Sequence, residues 1–167
     1  GSFGTFFERA LGIQVNPLFS PEGFLEAFEG LSPLFVHGLF ATDHELDLIA
    51  KQAGSLVHCP ISNRLLSGAK LDLNPLLYHP IPLLLATDGL SSNTSLSLWE
   101  EMRAALMMHA REEIHELTRL LMLATTRQAA SALKLNKGVI EKGRDADLAL
   151  LRLPDGLSDP AQLPLQL

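Results

Sequence analysis

Three residues able to serve acid–base or metal chemistry, His37, His58 and Asp88, each follow a short run of strand-forming residues. His37 closes Leu34-Phe35-Val36, His58 closes Ser55-Leu56-Val57, and Asp88 follows the apolar run from Ile81 to Thr87. The C-terminal ends of parallel strands are where α/β folds build their sites. His37 and His58 are 21 residues apart, and His58 and Asp88 are 30 apart. Each interval holds one strand, one helix and the loops between, so the three side chains are expected to ring a common mouth. A carboxylate at the end of an apolar strand is costly to bury unless a metal, hydrogen bonds or a cation compensates. Asp88 is therefore the strongest single candidate, with Ser91-Ser92-Asn93 close behind it in sequence. The plain alternatives are a structural histidine at 58 and an Asp88 that only caps the turn at Gly89.

The elements that must position these residues are legible in the pattern. Ser20-Pro21-Glu22 opens an amphipathic helix within 17–31. Thr42-Asp43-His44-Glu45 opens another that ends near Gly54, making a β-α-β unit with the flanking strands. The strand from Ile81 has no polar alternation, which suggests burial on both faces in a parallel sheet. Two long helices are expected at about 97–110 and 114–133. Beyond Asn136-Lys137-Gly138 the pattern changes to short strands, Val139-Ile140-Glu141 and Asp147 to Arg152, joined by Lys142-Gly143-Arg144-Asp145. His44, His79, His109 and His115 sit in polar contexts and are expected at the surface, and Glu100-Glu101 reads as a solvated helix start.

Composition narrows the class. The chain has 167 residues, a net charge of −6 and 47% hydrophobic residues, which is the composition of a soluble globular domain. Thirteen basic against 19 acidic residues, with no basic run, argue against nucleic acid as a partner. Cys59 is the only cysteine, so neither an intrachain disulfide nor a thiolate zinc cluster can form, which fits a cytoplasmic protein. No apolar stretch approaches the roughly 20 residues of a membrane span, and no membrane partner is expected. Gly1-Ser2 resembles a cloning remnant and no initiator methionine follows, so the chain is expected to be a segment of something longer.

Three stretches, Val57 to Gly68, Ala86 to Asn93 and Glu141 to Leu148, occur in an order that resembles the metal-dependent amidohydrolases. These enzymes deaminate or dechlorinate purine-like, pterin-like and triazine rings. Phe35-Val36-His37, Asn63 to Gly68 and Leu90 to Leu98 look most like the aminofutalosine deaminase branch. The resemblance implies an α/β fold: the C-terminal part of a (β/α)8 TIM barrel, strands six to eight, over residues 1–136. Residues 137–167 would return into an incomplete small β-sandwich. It implies that Asp88 is the strand-eight aspartate that binds the metal and takes a proton from the attacking water. It also implies that His37 steadies that water or the developing oxyanion. His58, Ser62, Asn63 and Asn93 are implied as substrate-binding, with the roles of the strand-seven residues partly structural. The cofactor would be one divalent metal, zinc or iron. The substrate would be a small purine nucleoside-like molecule, in first place 6-amino-6-deoxyfutalosine of menaquinone biosynthesis. Adenosine-like, thiomethyladenosine-like or chlorinated rings are the alternatives within the family.

The chain also departs from the family pattern. It contains no His-x-His, and the family's strand-five histidine and general-acid glutamate have no counterpart. One carboxylate does not hold zinc or iron tightly by itself. The expected partner is the N-terminal remainder of the same protein, with a homodimer left open, and the segment alone is expected to be inactive. A reading of another class, a non-catalytic remnant or assembly module, would apply if the complete protein also lacked those ligands.

Overall fold

The computed structural model describes residues 2–14, 18–152 and 155–156. Three short strands, β1 (Leu34–Val36), β2 (Ser55–His58) and β3 (Leu83–Leu85), form one parallel sheet in the order β1-β2-β3. The register sets Phe35 beside Leu56 and Val57 beside Leu84. Strand alternation then assigns the faces. Leu56, Leu83 and Leu85 turn to the helices and join the main core, whereas Val57, Cys59 and Leu84 form a smaller cluster on the other face. The expectation of a β3 buried on both sides is met.

The helices follow local signals. α1 (Ser2–Leu11) precedes α2 (Pro21–Glu26), whose Ser20 side chain accepts from Gly23 N. α3 (Asp43–Lys51) has a full capping box, with Thr42 and Glu45 each satisfying the other's backbone N–H. α4 (Pro60–Ser67) starts directly after β2, with proline in its first turn and Gly68 left-handed at its end. A 3-10 turn at Pro75–Leu77 leads into β3, and α5 (Leu98–Met108) begins from a Ser97 cap.

The long helix expected over 114–133 is two: α6 (Ile114–Thr125) and α7 (Arg127–Ala132), broken at Thr126, where φ is −121° and ψ −94°. The hydroxyls of Thr125 and Thr126 bond back to the carbonyls of Leu121 and Met122, the competition with the helix ladder that Ser and Thr offer. Gly138 packs into this break. A Cβ there would lie 2.6 Å from Ala130 Cβ and 2.9 Å from Thr126 O, and its φ is +88°.

The strands expected at Val139–Glu141 and Asp147–Arg152 are not formed among the described residues. A strand requires a ladder partner, and residues 136–147 instead close a loop on themselves. Asn136 Nδ2 donates to Gly143 O, Arg144 donates to Asn136 Oδ1, and Lys137 pairs with Asp147. Leu148 and Leu150 stand exposed. The remainder of the expected sandwich segment, 153–154 and 157–167, lies outside the described residues.

Candidate active site

His37 and Asp88 meet at the C-terminal rim of the sheet. His37 Nε2 is 3.7 Å from Asp88 Oδ2, and both side chains are about one-third exposed, at 39% and 34%. Each follows a strand, and each is a non-glycine residue in the left-handed region, with φ of +73° at His37 and +59° at Asp88. Such backbone is uncommon outside glycine and concentrates at functional sites, held there by its surroundings. Its effect at position 37 follows from register. Alternation from Phe35 would send the side chain to the helix face, and the left-handed turn redirects it across the strand ends.

Asp88 is well supplied with donors. Ser62 Oγ donates to Asp88 Oδ2 at 2.7 Å, Gly89 N donates to Oδ1 at 2.8 Å, and Ser92 Oγ lies 3.2 Å from Oδ2 and 3.0 Å from Ser62 Oγ. These bonds, that from Ser62 foremost, hold its carboxyl below the ordinary carboxylate range, so it is an ionised acceptor at neutral pH. The turn-capping contact with Gly89 and the position facing His37 at the rim thus coexist in one side chain. Asp88 is not buried as the apolar strand suggested. Exposure and three donors remove most of the desolvation cost.

Ser62 and Asn63 arrive on the first turn of α4, which starts within two residues of β2. Both are buried. Asn63 links two histidines: His37 Nδ1–H donates to Asn63 Oδ1 at 2.7 Å, and Asn63 Nδ2 donates to His58 Nδ1 at 3.2 Å. A cavity of about 230 Å³ opens beside these residues, lined by His37, Ser62, Asn63 and the apolar Leu39, Phe40 and Leu66. A larger one of about 900 Å³ between α4 and α5 is lined by Asn93, Arg64 and Lys70 among mostly apolar residues and contains neither His37 nor Asp88.

His58 does not join the mouth. It shares the helix face with Leu56, has no exposed surface, and packs edge-to-face on His109 with ring centroids 5.6 Å apart. Burial, with His109 and His37 nearby, lowers its pKa to about 3, so it is neutral. Asn93 is likewise turned inward. Its Nδ2 donates to Thr87 O and to Glu101 Oε1 at 2.5 Å, while its Oδ1 accepts from Thr94 N and Ser95 N. Neither side chain has free polar surface at the rim.

Two expectations are corrected here. Glu101 is not solvated: it is fully buried, its Oε2 accepting from Ile61 N at 3.1 Å and its Oε1 from Asn93, and burial raises its pKa despite those bonds. It ties the start of α4, which carries Ser62 and Asn63, to the loop after Asp88. His109 is not at the surface but 2% exposed, its pKa lowered chiefly by burial. The available signal was helical spacing: Glu101, Ala105 and His109 lie four residues apart and form one stripe with the buried face of α5. His79 is also more sheltered than expected, its Nδ1 3.0 Å from Asp47 Oδ1.

Among the described residues no group of three or more His, Cys, Asp or Glu side chains is placed to hold a metal ion. The donor chemistry present fits part of a divalent site: an ionised carboxylate at the rim with an imidazole nitrogen facing it. His58 does not fit as a ligand, because it is sealed from the rim. Cys59 is buried, with its thiol pushed up to about 12 chiefly by burial, and so is not a ligating thiolate.

The chain is similar to several known proteins. An aminodeoxyfutalosine deaminase of a Nitratiruptor species is 41% identical over 165 residues, covering 99% of this chain and 40% of that protein. The crystal structure of Helicobacter pylori aminofutalosine deaminase in complex with methylthio-coformycin matches with a TM-score of 0.89 at 38% identity, over 99% of this chain and 41% of that one. An adenosine deaminase from Xanthomonas campestris with bound zinc matches with a TM-score of 0.67 at 27% identity, over 88% of this chain and 34% of that one. The chain spans about two fifths of the length of the first two relatives. The profile of the Amidohydrolase family matches residues 3–164, and the chain belongs to that family.

Proposed function

We propose that the complete protein is a metal-dependent deaminase that hydrolyses the exocyclic amine of an adenosine-like nucleoside, with 6-amino-6-deoxyfutalosine as substrate in menaquinone biosynthesis. The observation that carries this reading is the His37–Asp88 pair on two strained strand ends, in a chain so similar to deaminases of such nucleosides. In this reading β1, β2 and β3 are strands six to eight of a (β/α)8 barrel, residues 1–136 its C-terminal part, and 137–167 the return into a small sandwich. The N-terminal remainder of the polypeptide would bring the other strands and most metal ligands.

Asp88 would hold one divalent ion, zinc or iron, together with ligands from that remainder. The ion supplies Lewis acidity, which brings hydroxide within reach near neutral pH. Asp88 Oδ2, kept ionised by Ser62, Gly89 and Ser92, takes the proton from the attacking water and passes it towards the leaving amine. His37 Nε2 faces the same oxygen and orients the attacking water by accepting from it. Ser62 orients Asp88 and Asn63 orients His37; Asn93 serves substrate binding indirectly, through the loop after Asp88 that it holds, and His58 packs beneath Asn63. Leu39, Phe40 and Leu66 give the adjoining cavity an apolar wall for the ring or its substituent.

The test is ammonia release from aminodeoxyfutalosine, adenosine and methylthioadenosine by the complete protein, with metal content measured by elemental analysis. About one metal per chain and ammonia from the first substrate, lost in Asp88→Ala and in the isolated segment, is expected. A metal-free complete protein, or full activity in Asp88→Ala, would overturn the reading.

A further inference from the structure

We propose that His58 is a positioning residue for His37: acting through the side chain of Asn63, it fixes the tautomer and ring orientation that leave His37 Nε2 free towards Asp88. The inference rests on geometry at three points. His58 is fully enclosed between the sheet and α5, against His109, and cannot touch a substrate. Its Nδ1 accepts from Asn63 Nδ2 at 3.2 Å, which determines which end of that amide faces which histidine. Asn63 Oδ1 then faces His37 Nδ1 at 2.7 Å, and an amide oxygen only accepts, so the proton of neutral His37 must sit on Nδ1.

His37 Nε2 is left as a lone pair, 3.7 Å from Asp88 Oδ2. Two acceptors at that separation do not bond each other, but they can share one donor between them, the place the attacking water occupies in the proposed reaction. Burial keeps His58 neutral, and with Nδ1 facing the Asn63 amide nitrogen its single ring proton sits on Nε2, which has no hydrogen-bond partner among the described residues. Asn63 is itself buried on the first turn of α4, and the two histidines are the partners of its amide, so its orientation depends on this pair. Without an acceptor at 58 the amide is free to reverse and donate to His37 Nδ1, moving the ring proton to Nε2.

The catalytic meaning of the relay rests on the deaminase reading, but its physical content can be measured apart from activity. The complete protein would be labelled with ¹⁵N-histidine and the ring nitrogens of His37 read by long-range ¹H–¹⁵N correlation, beside kcat and KM. A protonated Nδ1 and a bare Nε2 are expected in the unaltered protein, and the reverse pattern there would overturn the proposal by itself. His58→Leu, similar in volume but without an acceptor, is expected to mix or reverse the pattern and to lower kcat about 10- to 100-fold with little change in KM, the usual cost of losing such an orienting partner. Adding Asn63→Asp to that variant is expected to restore the Nδ1–H pattern, because both oxygens of a carboxylate accept. Should His58→Leu fail to fold, Asn63→Leu carries the same expectation. An unchanged His37 pattern in whichever variant folds would overturn the relay. A changed pattern in a protein that deaminates nothing would support the relay and count against the deaminase reading alone.

Discussion

Two histidines end adjacent strands of one sheet, and they live in opposite regimes. At the rim, His37 is partly exposed, strained at φ +73°, and turned to a carboxylate. One strand over, His58 keeps regular alternation and is sealed against His109 beneath the first turn of α4. The same contrast separates Asp88, exposed and held below its ordinary range, from Glu101, enclosed and pushed above its own. Position at a strand end therefore does not by itself make a residue part of the site. A left-handed backbone turn brings a side chain to the rim, and an ionisable group that stays in register becomes the scaffold under it.

The contrast is broken most directly at Asp88. Asp88→Ala in the complete protein should lower kcat by about 10²- to 10⁴-fold, the range spanned by general acid–base groups, with the fold intact by circular dichroism. A loss below tenfold would move the chemistry away from the rim. Glu101→Leu should act on stability instead, because it leaves Ile61 N without its acceptor and removes one of the two acceptors of the Asn93 amide, the other being Thr87 O. A loss of about 1–3 kcal/mol per orphaned group is expected in denaturant unfolding, while Glu101→Gln, which keeps one acceptor, should lose less.

The buried histidines also give stability a pH dependence. The pKa of His58 is lowered from 6.5 to about 3, so the unfolded chain binds its proton first as pH falls. Stability is fully present above pH 6.5 and declines below it, by about 1.4 kcal/mol per pH unit for this one proton, until pH nears 3. His109, lowered as well, adds to the slope. Unfolding free energies at pH 7.5 and 5.5 check this: a His58→Leu variant that folds should show a shallower decline. The smallest effect belongs to the surface of α6, where Arg119 and Glu116 are paired at 3.1 Å with both side chains more than 60% exposed. Glu116→Gln should change stability by less than about 0.5 kcal/mol, seen as an unmoved melting temperature.

The sequence by itself determined the three strands and their order, because β-branched and aliphatic runs bounded by Pro, Gly and cap residues have few alternative readings. It also determined the helix starts at Ser20, Thr42 and Ser97, whose side chains cap as their types require. The rim pair His37 and Asp88 was legible from strand-end position and spacing, and Ser62 and Asn63 from the motif around them. Only the tertiary structure decided which strand-end residues face outward, since that turns on left-handed φ values at two non-glycine positions that no residue type announces. It also decided the fates of Glu101 and His109. Their polar types argued for solvent, but α5 packs the stripe they share with Ala105 inward, and a buried acid is kept where two donors, a backbone N–H and a side-chain amide, meet it. Residues 136–152 mark the other limit. Their pattern is that of strands, but a strand forms only where another edge receives its hydrogen bonds, and no local sequence supplies that edge.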